Sequence, residues 1–286
     1  MTLLAESKNT MDEDVEVKAP APLESALGNF MQITAKSTVA VVIPLYGYWN
    51  DVPDNPVNGE VLSAVLRRVY SNVHHLVLVF VAHPQSIPHS ETDKNSVGNI
   101  LISKAAAGNV LNVAVERDAT YSEYVSEGID AALNATNASF IVVFNPWVLI
   151  QEGAIDVIVD RANFGDNAKI ISGFDIRSVI EPELFDSYKN SMPIEQWDLS
   201  LNFLGMPRFV AEMLQLDPEI QTHKFLERDI WQRMFSKGFD VIASQRLPIF
   251  PFDFPWTSYE TKEQFDGDRE HFTKKWGFGV DLEYKN

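Results

Sequence analysis

The chain has 286 residues, 40 of them Asp or Glu against 23 Lys or Arg, which gives a formal charge of −17 with six His and no Cys. A composition that is 45% hydrophobic and 11% aromatic belongs to a globular protein and lies far from the signature of disorder. The acidic balance excludes the clustered cations that nucleic-acid phosphates or an anionic membrane surface demand, and the lack of Cys excludes disulfides, thiolate zinc sites and a cysteine nucleophile; it also fits a reducing compartment, so a cytoplasmic location is expected.

Residues 1–36 contain a charged run (Asp12, Glu13, Asp14, Glu16) and a Pro-Ala-Pro step at 20–22, with no basic-then-apolar start of a secretory signal. This segment reads as a flexible acidic tail. Within it, Leu23, Ala26, Leu27, Phe30 and Met31 recur at helical spacing and predict a short amphipathic helix. The tail carries six acids and three bases, so −14 of the charge belongs to residues 37–286, which are expected to fold as one domain. No apolar run approaches the roughly 18 residues of a transmembrane helix.

From Thr38 the pattern changes to short β-branched runs separated by helical periodicity. Thr38–Tyr46 is apolar on both faces, as a buried parallel strand must be, and a loop rich in Pro, Asn and Asp follows over Gly47–Asn58. Val61, Leu62, Val65, Leu66 and Val69 form a helical stripe within Glu60–Tyr70. Leu76–Ala82 and Val110–Val115 are the next strands. Tyr121–Leu133 reads as a helix, Phe140–Phe144 as a strand, Ala154–Arg161 as a helix and Lys169–Gly173 as a strand. This alternation predicts an α/β fold with a Rossmann-type, mostly parallel sheet flanked by helices and right-handed crossovers.

The second half is less regular. A helix is predicted at Phe209–Leu216 and a clearer one at Phe225–Lys237, where Leu226, Ile230 and Met234 line one stripe, Trp231 and Phe235 an adjacent one, and Gly238 stands where a helix should stop. Phe239–Ala243 reads as a strand. Leu247–Trp256, with three Pro and four large aromatic residues, is expected to be a rigid loop. Its rings, with Tyr259, could stack on a sugar or pack into the loop.

Several pieces stand in a telling order: Val39-Ala-Val-Val-Ile-Pro-Leu-Tyr46, Ser126-Glu-Gly-Ile-Asp-Ala-Ala132, Ser139-Phe-Ile-Val-Val-Phe-Asn-Pro-Trp-Val148, Leu226-Glu-Arg-Asp-Ile-Trp-Gln-Arg-Met-Phe-Ser-Lys-Gly-Phe239 and Lys274-Lys-Trp-Gly277. Taken together they resemble the family 2 glycosyltransferases of the GT-A fold, the match running from Val39 to Phe239. The resemblance implies transfer of a sugar from a nucleotide-sugar donor to an acceptor hydroxyl, with the nucleotide-sugar and a saccharide acceptor as partners. Such a reaction needs a base for the hydroxyl proton and positive charge at the departing diphosphate.

Aligned on Arg233 and Gly238, the resemblance assigns Glu227 as the base, with Asp229 beside it. The bland reading of Glu227 is a carboxylate near a helix start, favoured there by the dipole; that of Asp229 and Arg233, four residues apart, is an intrahelical ion pair. Pro44, Tyr46, His83, Asp118, Asn145 and Trp147 fall on the donor-binding positions. Arg233, Lys274 and Lys275 are the candidates for stabilising the phosphates.

Where the family places its last metal-binding Asp, this chain has Trp147, which cannot ligate a hard divalent ion. The acidic pair after the second strand is replaced by a segment offering His83, and Pro248-Ile-Phe-Pro-Phe252 stands where many members supply a metal-binding His. The expectation is therefore an enzyme without a conventional Asp-x-Asp metal site and with no cofactor assigned. A catalytically inactive GT-A-like module that binds a saccharide or a protein is the alternative. His74-His75 reads as chance, since adjacent strand residues point to opposite faces. Neither a Gly-rich phosphate loop nor a Gly-x-Ser-x-Gly elbow occurs.

Overall fold

The computed structural model describes residues 37–46, 59–83, 109–116, 119–162, 169–175, 200–251 and 260–279. The predicted tail helix, the loop 47–58, Asp118 and the aromatic residues of 252–259 lie outside the described residues. In chain order the elements are β1 (Thr38–Pro44), α1 (Gly59–Leu66), β2 (His75–Ala82), β3 (Val110–Ala114), α2 (Tyr121–Ala135), β4 (Phe140–Phe144), β5 (Val148–Ile150), α3 (Ala154–Ala162), β6 (Lys169–Asp175), β7 (Phe203–Pro207), α4 (Arg208–Met213), α5 (His223–Ser236), β8 (Asp240–Pro251) and α6 (Lys262–Trp276). The strands form one sheet in the order β3-β2-β1-β4-β7-β6-β8-β5. β1 lies between β2 and β4 and is parallel to both, while β7 runs antiparallel to β4 and β6. Among the described residues no helix is long and apolar enough to cross a membrane.

Burial on both faces explains why β1 is apolar throughout. Val39, Val41 and Ile43 join one core layer with Leu62 and Val65 of α1 and Ile155 and Ile158 of α3. Ala40 and Val42 enter the opposite layer with Val125 and Ile129 of α2 and Leu226 and Ile230 of α5. Each fully buried Val or Ile contributes about 1.5–3 kcal/mol, and a one-residue slip would exchange the two sets. Two glycines set how closely helix and sheet approach. A Cβ on Gly128 would lie 2.3 Å from Val42 Cγ1, and one on Gly205 would lie 2.7 Å from Ile158 Cδ1.

Helix α2 starts on a capping box: the Thr120 hydroxyl accepts from Glu123 N and the Glu123 carboxylate accepts from Thr120 N. At its other end the Arg208 guanidinium donates to the carbonyls of Leu133, Thr136 and Ala138. A cation is favoured there by the helix dipole. Because α2 follows a parallel strand, its first turn, with Tyr121 and Tyr124, stands at the carboxyl edge of the sheet.

The structure corrects the second half of the chain. β8 continues to Pro251, so Leu247–Pro251 is strand rather than the expected rigid loop. Prolines are tolerated because Pro248 enters beside the register shift opposite Gly173 and Phe174, and Pro251 is the last residue paired with β5. Three elements were not foreseen: β5, β7 and α6. Strand β7 contains Gly205 and Pro207, residue types depleted from strands. Helix α6 buries only Phe265, Asp268 and Phe272, too narrow an apolar seam to announce itself.

Candidate active site at the carboxyl edge of the sheet

In an open α/β sheet the crevice lies beyond the carboxyl ends of neighbouring strands whose connections leave in opposite directions. Here those strands are β1, followed by β2 on one side, and β4 on the other. The residues that emerge are Leu45 and Tyr46 from β1, and Asn145, Pro146 and Trp147 from β4. Trp147 is 1% exposed, and its indole N–H donates to the Tyr46 carbonyl at 3.1 Å. That bond ties the two strand ends together. Asn145 is buried, donating through its amide to Asn202 Oδ1 at 2.9 Å and accepting from the Trp147 backbone at 3.1 Å.

Rings fill the α2 side. Tyr46 meets Tyr121 and Tyr124 edge-on, with centroids 5.7 and 5.3 Å apart, an arrangement favoured by the ring quadrupoles. Burial pushes the Tyr124 phenol up to about 12, against a hydrogen bond from the His83 backbone that lowers it. Burial also raises Tyr121, and Glu227 and Glu260 add to it. Pro44 is buried in the last pairing of β1 with β2.

The first turn of α5 completes the corner. Its N-terminal N–H groups have no intrahelical acceptors, and the N-cap Thr222 side chain makes no cap bond; its hydroxyl donates to Asp268. Asp268 of α6 instead accepts from the backbone of Gln221 and Thr222, and Glu260 accepts from His223 N at 2.7 Å. The His223 ring stands 5.0 Å from that of Tyr121 and 3.6 Å from Glu227 Oε1. Burial, helped by Lys224, lowers the His223 imidazole to about 3, so it is neutral at physiological pH. Burial lifts the Glu260 carboxyl to about 7; its bond from the His223 N–H and Lys224 oppose this, and Asp268 adds to it. Glu227, its side chain 18% exposed, accepts from Leu201 N at 2.8 Å. Leu201 precedes Asn202, the partner of Asn145.

Two residues on, Asp229 points into the seam between α5 and α6. It is fully buried and bonded to Arg233 at 2.8 Å, Lys275 at 2.6 Å and Trp276 Nε1 at 2.9 Å. Asp217 shares Lys275 and also takes His271 Nε2 at 3.0 Å. Burial alone would raise the Asp217 carboxyl, but hydrogen bonds from Lys275, His271 and the Glu219 backbone together hold it at about 2.

Tyr46, Asn145, Trp147 and Glu227 thus converge on one corner, with His83 reaching it through Tyr124. Asp229, Arg233 and Lys275 converge on the seam instead, and Lys274 lies exposed on α6. Sequence reasoning did not name Tyr121, Tyr124, Asn202, His223 or Glu260 as site residues. The i, i+4 spacing of His223 and Glu227 was a usable signal, whereas Asn202 and Glu260 reach the corner only through tertiary packing. A divalent metal does not fit the residues that end β4: Asn145 is engaged by Asn202 and Trp147, and Trp147 is no ligand. Among the described residues no group of three His, Asp or Glu side chains could hold a metal ion.

Neither a protein-family model nor a curated protein matches the chain. Solved structures do. Glucosyl-3-phosphoglycerate synthase from Mycobacterium tuberculosis, in complex with Mg²⁺ and uridine diphosphate, superposes with a TM-score of 0.52 at 14% identity over 89% of this chain and 85% of that one. A further mycobacterial protein gives 0.51 at 13% identity, covering 89% and 80%. S. aureus TarS gives 0.51 at 9% identity, the match covering 86% of this chain but 40% of TarS. At these identities the likeness shows the fold, which is the GT-A glycosyltransferase fold expected from the sequence.

Proposed function

We propose that the chain is a nucleotide-sugar-dependent glycosyltransferase that moves a sugar to an acceptor hydroxyl, with Glu227 as the base and without an Asp-x-Asp metal site. The observation that carries this reading is the placement of Glu227. Its carboxyl group lies at the carboxyl edge of the sheet, fixed by the Leu201 N–H at 2.8 Å and still partly exposed. A group so held can accept a hydroxyl proton, a step that contributes about 10²–10⁴-fold to such reactions. The His223 ring beside it is neutral at physiological pH.

A uridine-diphosphate sugar is the donor class, supported by solved structures of the same fold that carry uridine diphosphate. Pro44, Tyr46, His83, Asp118, Asn145 and Trp147 form the donor side of the reading. Asp229 serves the reaction by supporting the helix that bears Glu227. Arg233, Lys274 and Lys275 are the cations available to the diphosphate, although Arg233 and Lys275 also brace the seam. A cytoplasmic location remains part of the proposal.

One observation favours a second reading, a non-catalytic GT-A-like module that binds a saccharide or a protein. Trp147 packs into the β1–β4 corner with its indole bonded to Tyr46, where a donor nucleotide would otherwise enter. Incubation with UDP-, GDP- and dTDP-sugars, with and without Mn²⁺, separates the two. Sugar release that is insensitive to Mn²⁺ and lost in E227Q supports the transferase; folded protein that neither binds nor turns over any donor supports the module.

A further inference from the structure

Helix α5 is capped from outside itself. Thr222 gives its hydroxyl to Asp268, and the first helical N–H, that of His223, goes to Glu260 Oε1 at 2.7 Å, 37 residues away in the chain. The same His223 touches the two groups that define the corner, Tyr121 at 5.0 Å between rings and Glu227 Oε1 at 3.6 Å. Glu227 in turn accepts from Leu201 N. A continuous line of contacts therefore runs from Glu260 through His223 to Glu227 and Leu201.

We propose that Glu260 is a positioning residue for Glu227: by holding the His223 N–H it fixes the turn of α5 from which Glu227 reaches the reacting hydroxyl. This rests on the transferase reading of Glu227. The groups that face Glu260 are His223 and Lys224 of α5, Asp268 of α6, and Tyr121 of α2 with Glu227 beyond it. Partly buried among them, Glu260 titrates at about 7. A carboxylate accepts an N–H about twice as strongly as a neutral acid does, so the hold on His223 tightens as pH rises through neutrality. Lys224 favours the carboxylate, and His223 stays neutral throughout that range.

Amide NMR of the full chain tests this without requiring turnover, because the Leu201 N–H reports where Glu227 sits and the His223 N–H reports Glu260 itself. Both resonances are expected to inflect near pH 7 in the wild type and to lose that inflection in E260Q. In E227Q the His223 inflection persists and that of Leu201 disappears. If E260Q fails to fold, E260D keeps a carboxylate withdrawn from the N–H and must weaken the Leu201 inflection. A Leu201 resonance that stays flat while His223 titrates overturns the proposal, as does an inflection that survives in E260Q. The matching kinetic expectation is an inflection in kcat with KM unchanged, lost in E260Q. Absence of all turnover would defeat the transferase reading and leave the two resonances to decide whether Glu260 positions Glu227.

Discussion

On one face of α5, Asp229 meets Arg233, Lys275 and Trp276, and the neighbouring Asp217 recruits Lys275 and His271. Two residues earlier in the same helix, Glu227 accepts from a backbone N–H and lies near a neutral imidazole and the Tyr121 phenol. The first region is dense in opposite charges and holds α6 against α5. The second sets a partly exposed carboxyl group beside a neutral imidazole. An acidic chain of this composition could have put its carboxylates anywhere. On the proposed reading the buried, charge-paired Asp229 is structural, and the partly exposed Glu227 is the proton acceptor.

The largest expected effect breaks the charged side. D229A leaves Lys275, Arg233 and the Trp276 N–H without their buried acceptor, and removing one partner of a buried charge network costs about 3–5 kcal/mol. Chemical denaturation measures it, and a loss below about 1 kcal/mol, typical of surface pairs, would erase the contrast. Sharpening the other side takes a pH series. Glu260 binds its proton more tightly folded than unfolded, so its contribution to stability is full below its ordinary 4.5 and is lost as pH rises through about 7. E260Q removes that decline, gaining about 1–3 kcal/mol on the wild type between acid and neutral pH. His223, lowered to about 3, changes stability in the opposite sense below its ordinary 6.5 in both proteins and cancels in the difference.

W147F keeps a ring in the corner but takes the donor away from the Tyr46 carbonyl. The expected cost is about 1–2 kcal/mol, and any gain in affinity for a nucleotide-sugar would show that the indole obstructs the donor. T261A removes the capping box of α6, in which Thr261 accepts from Gln264 N and the Gln264 side chain accepts from Thr261 N, at about 1 kcal/mol. K274A, on the exposed side of α6, should stay within about 0.5 kcal/mol. If it nonetheless weakens donor binding, Lys274 has a phosphate role.

Much of the first half was legible because its strands are buried on both faces and read as unbroken β-branched runs. β1, β2, β3 and β4, with α1, α2 and α3, fall within a few residues of their expected bounds. The second half hid for stated reasons. Gly205 gives β7 a loop-like composition, yet it is required where Ile158 packs against the sheet. Pro248 signals a break, and the structure places it at a register shift within β8. Helix α6 could have been found from its ends, since Thr261 and Gln264 form a capping box and Gly277 takes a φ of 76°. At the site, Glu227, Tyr46, Asn145 and Trp147 were reachable through the resemblance. Glu260 was not, because nothing local marks a carboxylate that caps a helix 37 residues earlier.

The claim that matters most is that Glu227 carries proton transfer to or from a donor–acceptor pair at this corner. Steady-state sugar transfer or release from a UDP-sugar, measured for wild type and E227Q beside direct donor binding, tests it. The account predicts equal donor binding and a turnover about 10²–10⁴-fold lower in E227Q, with or without Mn²⁺. Donor binding with equal turnover in the two proteins, or no binding of any nucleotide-sugar by the folded chain, would contradict it.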